Sequence, residues 1–320
     1  MRKREYLRSV GDDISFKFYQ TPTDFIVDEV ASREFKGKGN YLILKVQKVE
    51  LTTWDMVAIF AEYLAIPAQK IGYAGLKDKH ATTTQYISVD ASYERMLKQF
   101  YHKQIKILST TRDSASIRMG DLAGNRFGIN LHFVDNIDAG RIEKVARKIA
   151  KEGLPNYFGY QRFGRDADSI KQAKEMINGD IFIEDDKLKN FLVSIYQSTF
   201  FNDWLRERVQ ITKDKGEYKL LTLKGDVFNS KKVLTGLLCG RDVKRAKSDA
   251  REIEKKYDDE FLQSKGHRRD ALIFPKDIEC SYVKKQTLLK LSFTLPKGSY
   301  ATVFLESIAD KNYSAKDVKK

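Results

Sequence analysis

The chain has 320 residues, of which 58 are Lys or Arg and 44 are Asp or Glu, so its formal net charge is +14. Hydrophobic residues make up 42% of the chain, which argues against global disorder and indicates a globular protein of one large domain or two ordinary ones. A positive excess of this size favours a polyanionic partner, nucleic acid before membrane, although a basic enzyme of another kind has the same composition.

The sequence lacks the features of several other classes of protein. Cys239 and Cys280 are too few and too far apart for a disulfide scaffold or a zinc site, which fits a reducing, cytoplasmic location. The basic N-terminus is followed by no apolar run typical of a signal peptide, and no stretch is apolar enough for a membrane helix. There is no dinucleotide-binding or P-loop glycine motif, and the four histidines lack metal-site spacing. We therefore predict no cofactor, no metal and no membrane partner.

The first part of the chain is predicted to mix strands with helices. Residue composition and partial alternation predict strands over 41–47, 84–89 and 127–134. Thr52 and Asp55 form a capping-box pattern that predicts the start of a helix, which Pro67 would stop. Apolar residues at helical spacing predict a second helix over 142–149, with Gly153 as its stop.

The pattern changes after Pro155. Residues 188–209 predict a long amphipathic helix, and the charge-rich stretch 241–265, with its thin apolar stripe, predicts a solvated helix. Alternation over 289–295 then predicts a strand. Strands, a helical block and a further strand are the order expected of an inserted domain. The absence of regular βαβ alternation favours a mixed or antiparallel sheet over a doubly wound one.

The most unusual segment is 71–85, IGYAGLKDKHATTTQ. Asp78 stands between Lys77 and Lys79, and a carboxylate flanked by cations stays ionised and can act as a nucleophile or a base. The two lysines could contact phosphates while Asp78 faces a pocket. A solvated charged loop is the more common meaning of such a triplet taken alone.

A second segment, 156–164 (NYFGYQRFG), combines aromatic residues with Gln161 and Arg162. Aromatic rings stack on bases, and arginine pairs with phosphate or stacks. An aromatic hinge between domains would have the same composition. Three shorter segments also contain residues suited to binding, although each alone is more often structural: 124–128 (GNRFG), 266–270 (GHRRD) and 295–302 (LPKGSYAT).

Taken together and in this order, AGLKDKHATTTQ, GNRFG, PNYFGYQRFG, GHRRD and LPKGSYAT resemble the TruD family of tRNA pseudouridine synthases, and Phe25–Glu29 (FIVDE) fits an early element of that family. The resemblance implies an α+β fold. It consists of a pseudouridine synthase catalytic domain with a mixed, largely antiparallel sheet flanked by helices, and an inserted, mostly helical family-specific domain. The implied bounds are 1–155 with 267–320 for the catalytic domain and 156–266 for the insertion.

The resemblance also implies a reaction, the isomerisation of uridine to pseudouridine in tRNA, at position 13 in the D arm, without cofactor or metal. A monomer is the family-like default. Asp78 matches the catalytic aspartate of the family, and attack at C1′, attack at C6 and removal of the 2′ proton all stay open. The implied substrate-binding and supporting residues are Phe25, Glu29, Lys77, Lys79, Asn125, Phe127, Gln161 and Arg162.

One position departs from the family pattern. The family often has a basic residue six positions before Phe25, where this chain has Tyr19, with Lys17 two residues earlier. Residues two apart in a strand share a face, so the ion-pair partner of Asp78 is predicted to be Lys17 or another cation. The cations expected to contact tRNA phosphates are Lys77, Lys79, Arg126, Arg162, Arg165, Arg268 and Arg269.

Two other functions fit the same residues. A non-catalytic tRNA-binding or tRNA-folding protein could keep the scaffold, and the intact set of Asp78, Asn125 and Phe127 weighs against it. An enzyme that acts on a small acidic substrate would bind RNA weakly and without the steep salt dependence that phosphate contacts produce.

Overall fold

A computed structural model describes residues 3–7, 14–164 and 168–318 of the chain, and Arg165 lies outside the described residues. The strands in chain order are β1 (Phe25–Ala31), β2 (Tyr41–Val49), β3 (Gly72–Tyr73), β4 (Thr82–Asp90), β5 (Ile105–Asp113), β6 (Leu122–His132), β7 (Leu154–Pro155), β8 (Val227–Phe228), β9 (Leu234–Leu238), β10 (His267–Asp270), β11 (Leu272–Ile273), β12 (Lys276–Val283) and β13 (Leu288–Pro296). The helices are α1 (Thr53–Leu64), α2 (Glu94–Leu97), α3 (Asn136–Glu152), α4 (Asp168–Asn178), α5 (Asp186–Asp214), α6 (Ser248–Glu254) and α7 (Ala301–Ala309).

The described residues form two compact units. The first contains the residues up to Ser15, Gly140–Pro275 and Ser299–Val318, and the second contains Phe16–Ala139 and Lys276–Gly298. These bounds differ from those of the two domains predicted from the sequence. One physical reason is that β7 pairs with β11, with Leu154 opposite Ile273, so that both flanks of the predicted insertion lie in the first unit. The division into the two family domains stays a prediction.

The second unit contains an eight-stranded sheet. Its strand order is β12-β13-β6-β1-β4-β2-β5, and β3 also pairs with β4. Among the described strands of this sheet, β1 and β4 are the only neighbours that run parallel, and every other neighbouring pair is antiparallel. The predicted late strand is confirmed as β13, which pairs with β6 and so completes the sheet. The expectation of a mixed, largely antiparallel sheet is confirmed.

Helix α1 begins at the predicted capping box and covers one face of this sheet. Thr52 Oγ1 accepts a hydrogen bond from Asp55 N at 3.0 Å, and Asp55 Oδ2 accepts one from Thr52 N at 2.9 Å. The helix ends at Leu64, and its C-cap residue Ala65 has a left-handed φ of 54°, two residues before Pro67. The core between α1 and the sheet includes the buried residues Leu42, Leu44, Val46, Met56, Val57, Phe60 and Ile87.

The first unit contains the longest helix, α5, which extends the prediction for 188–209 in both directions. It also contains a three-stranded sheet, β10-β9-β8. The prediction of one helix over 241–265 is wrong, because only α6 and a short 3₁₀ turn form there. The reason lies in the backbone: Ser248 has a left-handed φ of 46°, and Lys247 N donates to Gly225 O, so the segment bonds to a neighbouring loop rather than to itself.

Candidate active site

A row of side chains crosses the large sheet on a single face. Phe293 pairs with Phe127, and Phe127 pairs with Val27. Val27 pairs with Thr83, and Thr83 pairs with Lys48. Directly paired residues project to the same face of a sheet, and neighbouring strands lie about 4.8 Å apart. The register therefore places Phe127 on β6 and Lys48 on β2 on the same face of the sheet, three strands apart.

Aromatic rings line the first part of this row. Phe25 lies two residues before Val27 and so shares its face. The ring of Phe25 meets that of Phe127 edge-on, with centroids 6.1 Å apart, and Phe127 stacks on Phe293 with centroids 5.5 Å apart. Phe127 is only 7% exposed. Phe127, one of the residues that the resemblance implies for substrate binding, is therefore largely enclosed by neighbouring rings.

A buried ion pair joins β1 to the segment that precedes Asp78. The Lys77 ammonium lies 2.7 Å from Glu29 Oε2 and donates a hydrogen bond of 2.7 Å to Asn125 Oδ1. Asn125 is paired with Glu29 across β6 and β1, which explains why one ammonium reaches both. The structure thus brings together three of the predicted residues. It also buries Lys77, whose predicted contact with substrate stays a prediction.

Glu29 has a second role in the backbone of the sheet. β1 pairs with β4 only at Thr82–Thr84, and β3 pairs with it at Ile87 and Ser88. The amide of Tyr86 falls in the gap, and Glu29 Oε1 accepts its hydrogen bond at 3.2 Å. One carboxylate therefore serves a backbone donor that would otherwise lack a strand partner and the buried Lys77 ammonium, which needs a partner because it is removed from water.

Thr53, the first residue of α1, ties the helix to the same segment. Its hydroxyl accepts a hydrogen bond from Lys77 N at 2.9 Å and donates one to Gln85 Oε1 at 2.9 Å. Thr53 and Gln85 are both buried. The backbone just before Asp78 is thus held by α1, β4, β1 and β6 together.

Asp78 itself is exposed to solvent. Within the described part of the chain, no residue donates a hydrogen bond to its carboxylate and no cation lies within ion-pair distance of it. Although solvent reaches the Asp78 side chain, the protein that surrounds it raises the pKa of Asp78 above its ordinary value by desolvation, while the positive charges of Lys48 and Lys77 act to lower it. The carboxylate therefore has no hydrogen-bond or ion-pair partner among the described residues and lies in the field of nearby lysines.

Lys48 is a component of the site that the sequence analysis missed. It is fully buried, and its ammonium donates to Leu51 O at 2.6 Å and to Asp78 O at 3.0 Å. The signal was present in β2, because Lys48 falls in phase with the buried residues Leu44 and Val46 on the strand. Lys17, predicted as one candidate for the ion-pair partner of Asp78, has its ammonium 5.5 Å from the centre of the Phe133 ring. The identity of that partner stays a prediction.

Gln161 and Arg162 belong to the first unit. Gln161 is exposed, and its Oε1 accepts a hydrogen bond from Thr302 Oγ1 at 3.1 Å. Arg162 donates to Ser194 Oγ at 2.6 Å, and its guanidinium lies 5.6 Å from the centre of the Phe158 ring. These contacts belong to the folding of that unit, and the roles predicted for the two residues in substrate binding stay predictions.

Most of the other predicted phosphate contacts have protein partners. Arg126 pairs with Glu279 at 2.8 Å on the face opposite Phe127, and Arg268 pairs with Glu254 at 2.5 Å. The guanidinium of Arg269 lies 4.0 Å from the centre of the Phe158 ring. Lys79 differs from them because it is exposed beside Asp78 and has no ion-pair partner among the described residues.

Among the described residues, no group of three or more His, Cys, Asp or Glu side chains could hold a metal ion. No helix within those residues is long and apolar enough to cross a bilayer.

The family profile, the related sequences and the solved structure that match this chain all have the same family name. The sequence profile of the family tRNA pseudouridine synthase D (TruD) matches residues 3–182 and 219–308. The tRNA pseudouridine synthase D of Sulfurimonas denitrificans is 39% identical, and that of Nitratiruptor sp. is 40% identical, each match covering 93% of this chain and 96% of the relative. The crystal structure of the proposed TruD of Methanosarcina mazei shares the fold, with a TM-score of 0.73, 23% identity and 96% of both chains covered.

Proposed function

Because this chain belongs to the tRNA pseudouridine synthase D (TruD) family of isomerases, we propose that it converts uridine to pseudouridine at position 13 of tRNA, in the D arm, with Asp78 as the catalytic carboxylate and without a cofactor. The observation that carries this proposal is the environment of Asp78. Its exposed carboxylate accepts no hydrogen bond from the described residues, and a buried ion-paired network holds the segment in front of it.

The proposed reaction needs no co-reactant. The N1–C1′ bond of uridine breaks, the uracil turns, and a C5–C1′ bond forms, while a proton leaves C5 and N1 gains one. The carboxylate of Asp78 attacks C1′, attacks C6 or removes the 2′ proton, and each of these roles requires its ionised form. The charges of Lys48 and Lys77 favour that form, because they lower the pKa of Asp78 against the effect of desolvation.

The target uridine must leave its stack, which costs a few kcal/mol. We assign Phe127 as the apolar wall against which the extruded base rests, with Phe25 and Phe293 packed behind it. Asn125 lies beside this wall on the same strand as Phe127, and its side-chain oxygen is already held by Lys77. Its amide nitrogen is therefore left to donate to an oxygen of the uracil.

Binding of the tRNA itself is assigned to exposed cations, first of all Lys79. A net charge of +14 attracts a polyanion over long range. Gln161 and Arg162 are proposed as further contacts. The ion-paired Glu29 supports the site from within and does not touch the RNA in this proposal.

The test compares the wild-type protein with Asp78→Asn, which keeps the shape of the side chain and removes its charge. Product is measured on an unmodified tRNA transcript by carbodiimide mapping of pseudouridine and by release of tritium from C5-labelled uridine. Asp28→Asn is the matched control, because Asp28 lies on β1 but on the opposite face from Phe25. A transcript with cytidine at position 13 controls for the site of modification.

We expect pseudouridine at position 13 with the wild-type protein and with Asp28→Asn, and none with Asp78→Asn. Product formation by Asp78→Asn at the wild-type rate would contradict the role of Asp78. Tight tRNA binding by the wild-type protein without any isomerisation would instead indicate the non-catalytic tRNA-binding or tRNA-folding protein. Formation of pseudouridine at a uridine other than position 13 would contradict the proposed position and leave the proposed reaction standing.

A further inference from the structure

A buried lysine without a carboxylate partner lies beside the candidate active site. Lys48 is 0% exposed. Within the described residues, no Asp or Glu lies within ion-pair distance of its ammonium. Burying a charge in this way is costly unless other groups compensate for the lost water, so the position of this lysine requires an explanation.

The hydrogen bonds of Lys48 point to its role. Its ammonium donates to the carbonyl of Leu51, just after β2, and to the carbonyl of Asp78. An ammonium has three N–H donors, and the described residues accept only two of them. Lys48 thus joins the main chain of Asp78 to the end of β2 and keeps one donor free.

We propose that Lys48 is a positioning residue for the reaction: its protonated ammonium holds the main chain of Asp78 and keeps a positive charge beside the Asp78 carboxylate, to which its third N–H can donate when substrate is bound. This inference rests on the proposed function for the reaction itself. The relationship between Lys48 and Asp78 can be tested without it.

Charged groups on the neighbouring elements act on Lys48 in opposite directions. Asp78, from the segment before β4, and Asp55, from α1, raise its pKa, whereas Lys77 lowers it. Burial is the largest effect and brings the pKa of Lys48 down to about 8. The ammonium is therefore protonated at neutral pH and loses its proton in mildly alkaline solution, where its positive charge disappears.

The experiment removes the charge of Lys48 and follows Asp78 directly. Lys48→Met is compared with Lys45→Met, which lies on the same strand and the opposite face, with its ammonium 5.9 Å from the centre of the Tyr86 ring. The pKa of the Asp78 carboxyl is measured by carbon NMR with labelled aspartate, and its resonance is identified by its loss in Asp78→Asn. Single-turnover rates and tRNA dissociation constants are measured on the same variants.

In Lys48→Met we expect the pKa of Asp78 to rise and the single-turnover rate to fall about 100-fold, with tRNA binding within about twofold, because a misplaced reacting group slows the chemical step. Lys48→Arg keeps the charge and is expected to restore part of the rate. Lys45→Met should resemble the wild type. An unchanged pKa of Asp78, or a rate loss with an unchanged pH profile, would overturn the proposal.

The wild-type protein provides a second measurement in case Lys48→Met does not fold. The Asp78 resonance should shift a second time as Lys48 loses its proton near pH 8, and the alkaline decline in rate should occur over the same interval. The absence of that second shift would overturn the proposal. If the NMR shifts occur but the wild-type protein forms no pseudouridine, the coupling of Lys48 to Asp78 stands and the proposed function fails.

Discussion

The ammonium of Lys77 lies 2.7 Å from a carboxylate oxygen of Glu29, and both side chains are almost completely buried. The other oxygen of Glu29 accepts the Tyr86 amide, and Lys77 also donates to Asn125. Because Lys77 precedes Asp78 directly, this pair fixes the start of the segment that carries the proposed catalytic carboxylate. The pair is therefore expected to affect stability and activity together.

Replacing Glu29 with Gln should destabilise the protein strongly. The variant leaves the buried Lys77 ammonium without its counter-ion, and breaking a buried pair from one side typically costs about 3–5 kcal/mol. Urea denaturation measures the change in the free energy of unfolding. Glu279→Gln is the matched control, since its pair with Arg126 is exposed and such pairs contribute little. Equal effects of the two substitutions would contradict the buried pair as a stabilising element.

Thr53 should be needed for its hydroxyl rather than for its size. Thr53→Val keeps the shape but leaves the Lys77 amide and Gln85 Oε1 without their common partner, which we expect to cost about 1–3 kcal/mol. Thr53→Ser keeps the hydroxyl and should recover most of this loss. Denaturant titration of the two variants gives the comparison. A serine variant as unstable as the valine variant would show that packing is the main contribution.

On acidification, the activity should begin to decline at a higher pH than it would if Asp78 had the pKa of an ordinary carboxyl group. The reaction requires the ionised form, and desolvation raises the pKa of Asp78 above its usual value. As the pH decreases, the acid decline in kcat/KM is therefore expected above the ordinary aspartate value of about 3.9. Measurement of tRNA binding over the same interval separates protonation of Asp78 from loss of the complex. A decline centred at the ordinary value would contradict the raised pKa.

The same raised pKa predicts that Asp78 lowers stability. The folded state binds the proton of Asp78 more tightly than the unfolded state does. The free energy of unfolding therefore begins to fall as the pH rises through the ordinary pKa, and the loss is complete once the pH exceeds the raised pKa of the folded state. Asp78→Asn does not titrate and should be more stable than the wild type at pH 7, with the difference disappearing below the ordinary pKa. Urea denaturation of both proteins against pH measures this. A less stable variant at pH 7 would contradict the expectation.

The sequence was sufficient for elements whose signals are local. The capping box of Thr52 and Asp55 set the start of α1, and alternation in β2 set its buried face. The sequence alone could not give the pairing of β13 with β6, because strand pairing depends on contacts between distant residues. The predicted helix over 241–265 failed for a related reason, since its backbone donors bond to residues such as Gly225 outside the segment.

The candidate site shows the same limit at the level of side chains. Motif spacing located Asp78 and the residues around it, but it could not distinguish an arginine that binds RNA from one that binds a neighbouring carboxylate. Arg126 and Arg268 have protein partners that lie far away in the sequence. Lys48 was missed because a lysine in a strand usually reaches solvent. The one indication of its burial in the sequence is that it alternates with Leu44 and Val46 on the buried face of β2.

Lys79 is the cation whose contribution to tRNA binding should be easiest to measure. It is exposed immediately after Asp78 and has no ion-pair partner among the described residues, so its charge is available for a phosphate. Lys79→Ala should weaken tRNA binding and reduce the slope of log K against log salt concentration by about 1, as expected for one lost phosphate contact. The single-turnover rate at saturating enzyme should stay close to that of the wild type.

The matched control for Lys79→Ala is Lys284→Ala. Lys284 is also exposed, and it lies in the turn between β12 and β13, beside the edge of the sheet opposite β5. Its replacement removes the same charge from the same unit but should leave the salt slope unchanged. Equal slopes for the two variants would mean that Lys79 acts only through net charge, whereas a lower rate with an unchanged slope would place Lys79 in the chemical step rather than in the binding of phosphate.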